Sequence, residues 1–185
     1  LLLTGDNPFS GTVAVDQGVL QVGSRAAQAS LGGQVTVASG AALSGNGSVG
    51  SVVNNGVVQS GAEAGTLSVA GNLTNASSGV LALTVSSPTA TPLAVGGTAT
   101  LGGGLQVNAL APFTGNTTYS LITAGGGVIG TFSAADLPQY AFLDSALVYG
   151  ANAVNLVVSR NNDSFADVAA TGNQRNSASA LSRNG

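Results

Sequence analysis

Leu93-Ala94-Val95-Gly96-Gly97-Thr98-Ala99-Thr100-Leu101-Gly102-Gly103-Gly104-Leu105-Gln106-Val107 holds two aliphatic triplets, Leu93 to Val95 and Leu105 to Val107, separated by glycine and other small residues. Similar units recur upstream at Val35 to Val37, Val52 to Val53, Leu67 to Val69 and Leu81 to Leu83, after an opening strand around Gln21. Their spacing is roughly 16 residues early and about 12 to 14 later, which is how a stack of short coiled strands reads. In such a stack each turn hydrogen-bonds its backbone to the turns above and below, and alternate side chains fill a slim core. Val35 and Val37 share one face and Thr36 takes the other. The expected fold is all-β, a parallel coil of strands, and a compact sandwich of similar strands is the competing arrangement.

Composition supports an ordered but weakly charged chain. Of 185 residues 44% are hydrophobic and only 6% charged, with Lys and His absent and Arg25, Arg160, Arg175 and Arg183 the only cations. A disordered chain carries more charge and fewer Val and Leu. The net charge of −3 and the lack of a basic cluster exclude a phosphate-neutralising groove, so no nucleic-acid partner is expected. No apolar run approaches the roughly 18 to 20 residues of a membrane-spanning helix. Leu1 to Leu3 is too short for the apolar centre of a signal peptide, and the abrupt start reads as a fragment of something longer. Cys is absent, which suits a chain threaded unfolded through a narrow pore.

Along the chain, a turn cluster around Asp6-Asn7-Pro8 separates two apolar strands, and Gly18-Val19-Leu20-Gln21-Val22-Gly23 is a third strand bounded by glycines. Arg25 to Leu31 reads as a helical turn or a loop. Asn46-Gly47, Asn54-Asn55-Gly56 and Ser60-Gly61 are expected at corners that need positive φ. After Ala109 the pattern changes. Thr118 to Thr123, Gly125-Gly126-Gly127 and Val128 to Phe132 read as two strands paired across a flexible corner, and Leu147 to Tyr149 with Val154 to Val158 as a second hairpin. Most aromatic residues lie between Phe113 and Tyr149, so this part is expected to be the best packed and to seal the open end of the stack. Beyond Arg160, Asp163 or Ser164 can cap a helix whose apolar positions are Phe165, Val168, Ala169 and Leu181. The expected divisions are coils over 1–110, a cap over 111–160 and a helical linker over 161–185.

These features in this order resemble the C-terminal end of a bacterial autotransporter passenger, the type V secretion family. Leu3-Thr4-Gly5-Asp6-Asn7-Pro8-Phe9-Ser10-Gly11-Thr12-Val13, ahead of Gly18-Val19-Leu20, resembles the passenger-associated transport repeat. Tyr119 to Ala124, Gly130-Thr131-Phe132 and Val154 to Val158 resemble the family's autochaperone region, and Phe165 to Arg175 resembles the linker into the translocator barrel. That linker commonly has Pro where this chain has Gly172. The resemblance implies a right-handed parallel β-helix with a C-terminal hairpin cap. It also implies a bacterial outer-membrane, cell-surface or secreted location, and two partners: the protein's own C-terminal outer-membrane barrel, reached through 161–185, and the barrel-assembly machinery.

Enzymatic chemistry finds little footing. Without His or Cys, neither a Ser-His-Asp triad, a Cys-His pair nor the usual zinc cluster can be built from this segment. Asp6, Asp16, Glu63, Asp136, Asp144, Asp163 and Asp167 are scattered beside turn residues and read as caps and corners. Gly45-Asn46-Gly47-Ser48-Val49-Gly50 matches a nucleotide-loop string, but a strand and turn follow where a helix should. The segment is therefore expected to be no enzyme, with no cofactor and no metal. The expected role is a β-helical stem whose cap nucleates folding during export, with Tyr119, Leu121, Ile122, Phe132, Tyr140, Phe142, Leu147, Tyr149, Leu156 and Val158 as the nucleus. Low charge on the coils would ease passage through a pore. The alternatives are an adhesin whose Asn, Ser and Thr ladders meet a host surface ligand such as a glycan, and the scaffold of a secreted protease or lipase lying N-terminal to this segment.

Overall fold

In the computed structural model, which describes residues 1–60, 66–86, 92–113, 115–163 and 169–182, the chain is mostly β-strand with almost no helix. The described residues form three sheets. The first runs β1 (Leu2–Leu3), β4 (Gly18–Val22), β7 (Ala41–Gly45), β10 (Val57–Ser60), β13 (Val80–Val85), β16 (Gly104–Ala109) and β19 (Ala134–Asp136). The second runs β2 (Gly5–Asn7), β5 (Ala29–Leu31), β8 (Ser48–Val49), β11 (Ser68–Val69), β14 (Leu93–Val95), β17 (Thr117–Ala124), β21 (Ala153–Arg160) and β20 (Leu143–Tyr149). The third runs β3 (Val13–Val15), β6 (Val35–Val37), β9 (Val52–Asn54), β12 (Leu73–Asn75), β15 (Ala99–Leu101) and β18 (Val128–Gly130). From β1 to β19, strands three apart along the chain pair in parallel, from β1 with β4 to β16 with β19.

Register stacks like upon like. Leu20, Leu43, Val58, Leu81 and Leu105 are successive partners in the first sheet, and all are buried. Leu31, Val49, Val69, Val95 and Ala124 do the same in the second, and Val35, Val52, Leu73 and Ala99 in the third. Each buried Val or Leu contributes about 1.5 to 3 kcal/mol before chain entropy is subtracted. Small and branched side chains suit this core because period-two alternation puts only every second residue inside.

The early units Val35 to Val37 and Val52 to Val53 are successive turns of one side, Val35 opposite Val52, but neighbouring triplets later in the chain are not. Leu81–Leu83 and Leu105–Val107 belong to the first sheet, whereas Leu67–Val69 and Leu93–Val95 belong to the second, so adjacent triplets are different sides of the stack. Strand partners in neighbouring layers lie 15 to 30 positions apart, as in Ala42 with Val57 and Gly104 with Ala134. The third side gives no triplet signal where its strands read Leu-Thr-Asn and Ala-Thr-Leu.

Other expectations also change. Gly5-Asp6-Asn7 is strand β2 rather than a turn, and Arg25 to Leu31 is neither helix nor loop throughout, because a Ser24–Ala27 bridge leads into β5. Gly47 and Gly56 do not have positive φ; a Cβ at Gly47 would strike the Ala29 carbonyl, and one at Gly56 the carbonyls of Ala38 and Ala41. Close approach between layers, not handedness, selects glycine there. Gly61 lies outside the described residues. β17 and β18 are not a hairpin, since β17 pairs with β14 and β18 with β15. The corner between them stacks on equivalent corners below, Gly126 N donating to Gly97 O and Gly97 N to Gly71 O at 2.9 Å each.

Among the described residues the helix begins later than a cap at Asp163 predicts. α1 covers Gly172–Ser182, and Asp163 precedes it without capping it. Thr171 is the cap. Its Oγ1 accepts from Gln174 N at 3.3 Å, while Gln174 Oε1 accepts from the Ala170 and Thr171 N–H groups at 3.0 Å each, a reciprocal capping box. Ser164, Phe165 and Val168 lie outside the described residues. Among the described residues no helix is long and apolar enough to cross a membrane.

Candidate functional site

In the second sheet the parallel succession ends at β17, whose sequence Thr-Thr-Tyr-Ser-Leu-Ile-Thr-Ala is rich in β-branched and aromatic residues. Its Leu93-facing side pairs in parallel with β14, Leu93 opposite Ile122. Its other side pairs antiparallel with β21, Tyr119 opposite Leu156 and Thr117 opposite Val158. β21 in turn pairs antiparallel with β20 over its whole length, so the expected second hairpin is present.

A bulge between Ser120 and Ile122 makes this junction fit. Before it the inward residues are Tyr119 and Leu121, and after it Ile122 and Ala124; all four are buried. The extra residue shifts the inward parity by one, so the strand satisfies both the hairpin and the layer beneath.

Aromatic rings close the end. Phe113 lies 4.7 Å from Tyr119, centroid to centroid, and 5.8 Å from Tyr140 in an edge-on arrangement. Phe132 and Tyr149 are 6.4 Å apart, and Phe132 N donates to Tyr149 Oη at 3.3 Å. Polar ties secure the connecting segments. Asn152 Nδ2 donates to Ala124 O at 2.8 Å, Ser145 Oγ to Pro138 O at 3.2 Å, and Asn161 holds the carbonyls of Ala141 and Phe142 through Nδ2 and N.

Of the ten residues expected in the nucleus, Tyr119, Leu121, Ile122, Leu156 and Val158 are fully buried. Phe132, Tyr140, Leu147 and Tyr149 are half-buried and pack on the same continuous core, while Phe142 is half-buried outside it. Two further residues packed in the same region are absent from the expected set. Phe113 is 5% exposed and joins two rings, and Val154 is fully buried opposite Ile122. The alternation Val154, Leu156, Val158 is enough to place Val154 on the inner face. Phe113 has no such periodic signal, because it stands alone after Pro112.

A second feature lies on the outer face of the second sheet. Asp6, Ser30, Ser48 and Ser68 stand in one row across four layers and line a polar cleft of about 260 Å³ with Asn46 and Thr66. Ser30 Oγ donates to Asp6 Oδ1 at 2.9 Å and Ser68 Oγ to Gly47 O at 3.2 Å, so much of this polarity is already paired. The carboxylates Asp6, Asp16, Asp136, Asp144 and Asp163 are all exposed, and Glu63 and Asp167 lie outside the described residues. Among the described residues no group of three acidic side chains could hold a metal ion. Compared with known proteins, the chain matches no family model and no curated protein.

Proposed function

We propose that this chain is a right-handed parallel β-helix forming the C-terminal stem of a bacterial autotransporter passenger, and that its cap nucleates folding as the passenger emerges at the cell surface. The observation that carries this reading is the double pairing of β17, which gives the last parallel layer a buried, hydrogen-bonded partner on its far side. A hairpin such as β20–β21 closes a short loop and forms early, whereas the layers of the stack need contacts 15 to 30 residues apart. A preformed β17–β21–β20 unit offers an edge on which β14, and then each earlier layer, gains hydrogen bonds and buried aliphatic side chains.

With export proceeding from the C-terminal end and no ATP outside the cell, a small surplus per layer makes return through the pore unfavourable. The segment acts by folding, not by catalysis, and needs no cofactor. The residues from 161 onward, including the capped helix α1, lead toward the protein's own outer-membrane barrel and the machinery that assembles it.

Export tests this directly. Deleting 118–158 from the full-length protein in its secreting cell should leave the upstream layers protease-sensitive and stalled; normal surface display of protease-resistant layers would refute the nucleation role. The row of hydroxyls over Ser30, Ser48 and Ser68 favours one second reading, an adhesive stem that meets a host glycan. A glycan screen on the purified chain separates the two, since nucleation requires no ligand.

A further inference from the structure

We propose that the layered fold closes two latent modification sites, the labile pairs Asn46-Gly47 and Asn55-Gly56, by restraining opposite reactants of the same deamidation. In that reaction the glycine N–H loses its proton to water or hydroxide and the nitrogen attacks the asparagine Cγ. The Cγ–Nδ2 bond breaks and ammonia leaves. Water then opens the succinimide at either carbonyl, leaving aspartate or isoaspartate. Asn-Gly is the most exposed pairing for this chemistry, because glycine puts no side chain in the path of the ring closure.

The fold cannot avoid these glycines. A Cβ at position 47 would meet the Ala29 carbonyl and one at 56 the carbonyls of Ala38 and Ala41, so packing between layers demands glycine after both asparagines. The hazard is therefore built in, and the remedy lies in the hydrogen bonds. At Asn55 the nucleophile is held: Gly56 N donates to the buried Asn54 Oδ1 at 3.1 Å. The orientation of that carboxamide is fixed, because Asn54 Nδ2 donates to Val80 O at 3.1 Å and to Asn75 Oδ1 at 2.7 Å, which leaves Oδ1 for Gly56. The backbone on either side is also pinned, Asn55 N donating to Val37 O and Gly56 O accepting from Val80 N, both at 2.8 Å.

At Asn46 the electrophile is held instead. Its Oδ1 accepts from Thr66 N and its Nδ2 donates to Ser24 O, each at 3.3 Å, so the carboxamide bridges two neighbouring layers rather than folding back on Gly47. Both sites open only when their layers separate, and the unfolded chain carries both unprotected.

Peptide mapping after incubation at mildly alkaline pH reads each site separately. In the folded chain both positions should deamidate at least about tenfold more slowly than in denaturant, as expected when reaction requires local opening. The substitution Asn54→Ala frees Gly56 N and should speed reaction at Asn55 by about fivefold or more while Asn46 stays slow. Asn75→Ala damages the same buried pair but leaves the Asn54–Gly56 bond, and should leave Asn55 slow. Equal acceleration of Asn55 by the two substitutions, or none by Asn54→Ala in a folded chain, overturns the proposal. Should Asn54→Ala unfold the protein, Asn46 in the same molecule accelerates too. Amide exchange on the native chain then decides: slow exchange at Gly56 N supports the restraint, and exchange as fast as at an exposed loop overturns it.

Discussion

Tyr119 and Leu156 face each other, both fully buried, where parallel pairing gives way to antiparallel pairing in the second sheet. Truncating Leu156 to Ala opens a cavity beside the Phe113–Tyr119 ring pair and should cost about 2 to 5 kcal/mol in urea unfolding. The kinetics discriminate further. If the hairpin is formed in the folding transition state, Leu156→Ala slows refolding, whereas Leu43→Ala, in the parallel layers, chiefly speeds unfolding. A Leu156→Ala effect confined to the unfolding limb would remove the cap from the nucleus.

The buried Asn54–Asn75 pair yields a second prediction. In the third sheet the inward ladder Val15, Val37 turns polar at Asn54 and Asn75, and both amides find partners on neighbouring backbone. Removing one asparagine strands the other in an apolar interior at a cost of about 1 to 3 kcal/mol. Replacing both by Leu should cost less than the sum of the single changes, a coupling that a double-mutant cycle in urea measures. Strict additivity would mean that the 2.7 Å bond between them carries no net stability.

How much of this is legible in the sequence follows from which signals are local. Period-two alternation identifies Val35, Val37, Leu93, Val95, Leu105 and Val107 as inward residues, and all are buried. What alternation cannot give is which strands are neighbours, because pairing 15 to 30 residues apart leaves no single period when corner lengths vary. The triplet spacing therefore marks a turn of the stack between Val35 and Val52, but only imitates one from each to the next of Leu67, Leu81, Leu93 and Leu105. Asn54 reads as a corner residue because Asn-Asn-Gly favours turns, yet its side chain lies fully buried, where only partners from other layers make an amide tolerable. The buried cluster at the cap is legible where its residues alternate and illegible at Phe113, whose burial depends on Tyr119 and Tyr140 arriving from elsewhere.

Glycine positions separate two physical demands. Gly40 has φ +84 and open space within 4 Å of where a Cβ would stand, so Gly40→Ala meets backbone strain alone, about 1 to 2 kcal/mol. Gly45 has φ +134 and its Cβ would also strike Val22 O and Val22 N, backbone atoms that cannot swing aside. Gly45→Ala should therefore destabilise clearly more than Gly40→Ala by thermal or urea unfolding. Equal losses would show that neighbouring layers give way more readily than their shared register suggests.

The capping box at Thr171 sets the last expectation. An isolated helix of 11 residues with this Ser- and Asn-rich sequence is marginal in water, and residues 171–177 are exposed, so local terms weigh heavily. Thr171→Ala removes the acceptor for Gln174 N and should cost about 1 kcal/mol of helix stability. Gln174→Ala removes the reciprocal acceptor for two N–H groups and should act in the same direction. Both changes should reduce helical chemical shifts over 172–182 while leaving the urea midpoint of the strands unmoved, because neither Thr171 nor Gln174 takes part in the pairing that ties β17, β20 and β21. A shifted strand midpoint would instead mean that α1 and the sheets fold as one cooperative unit.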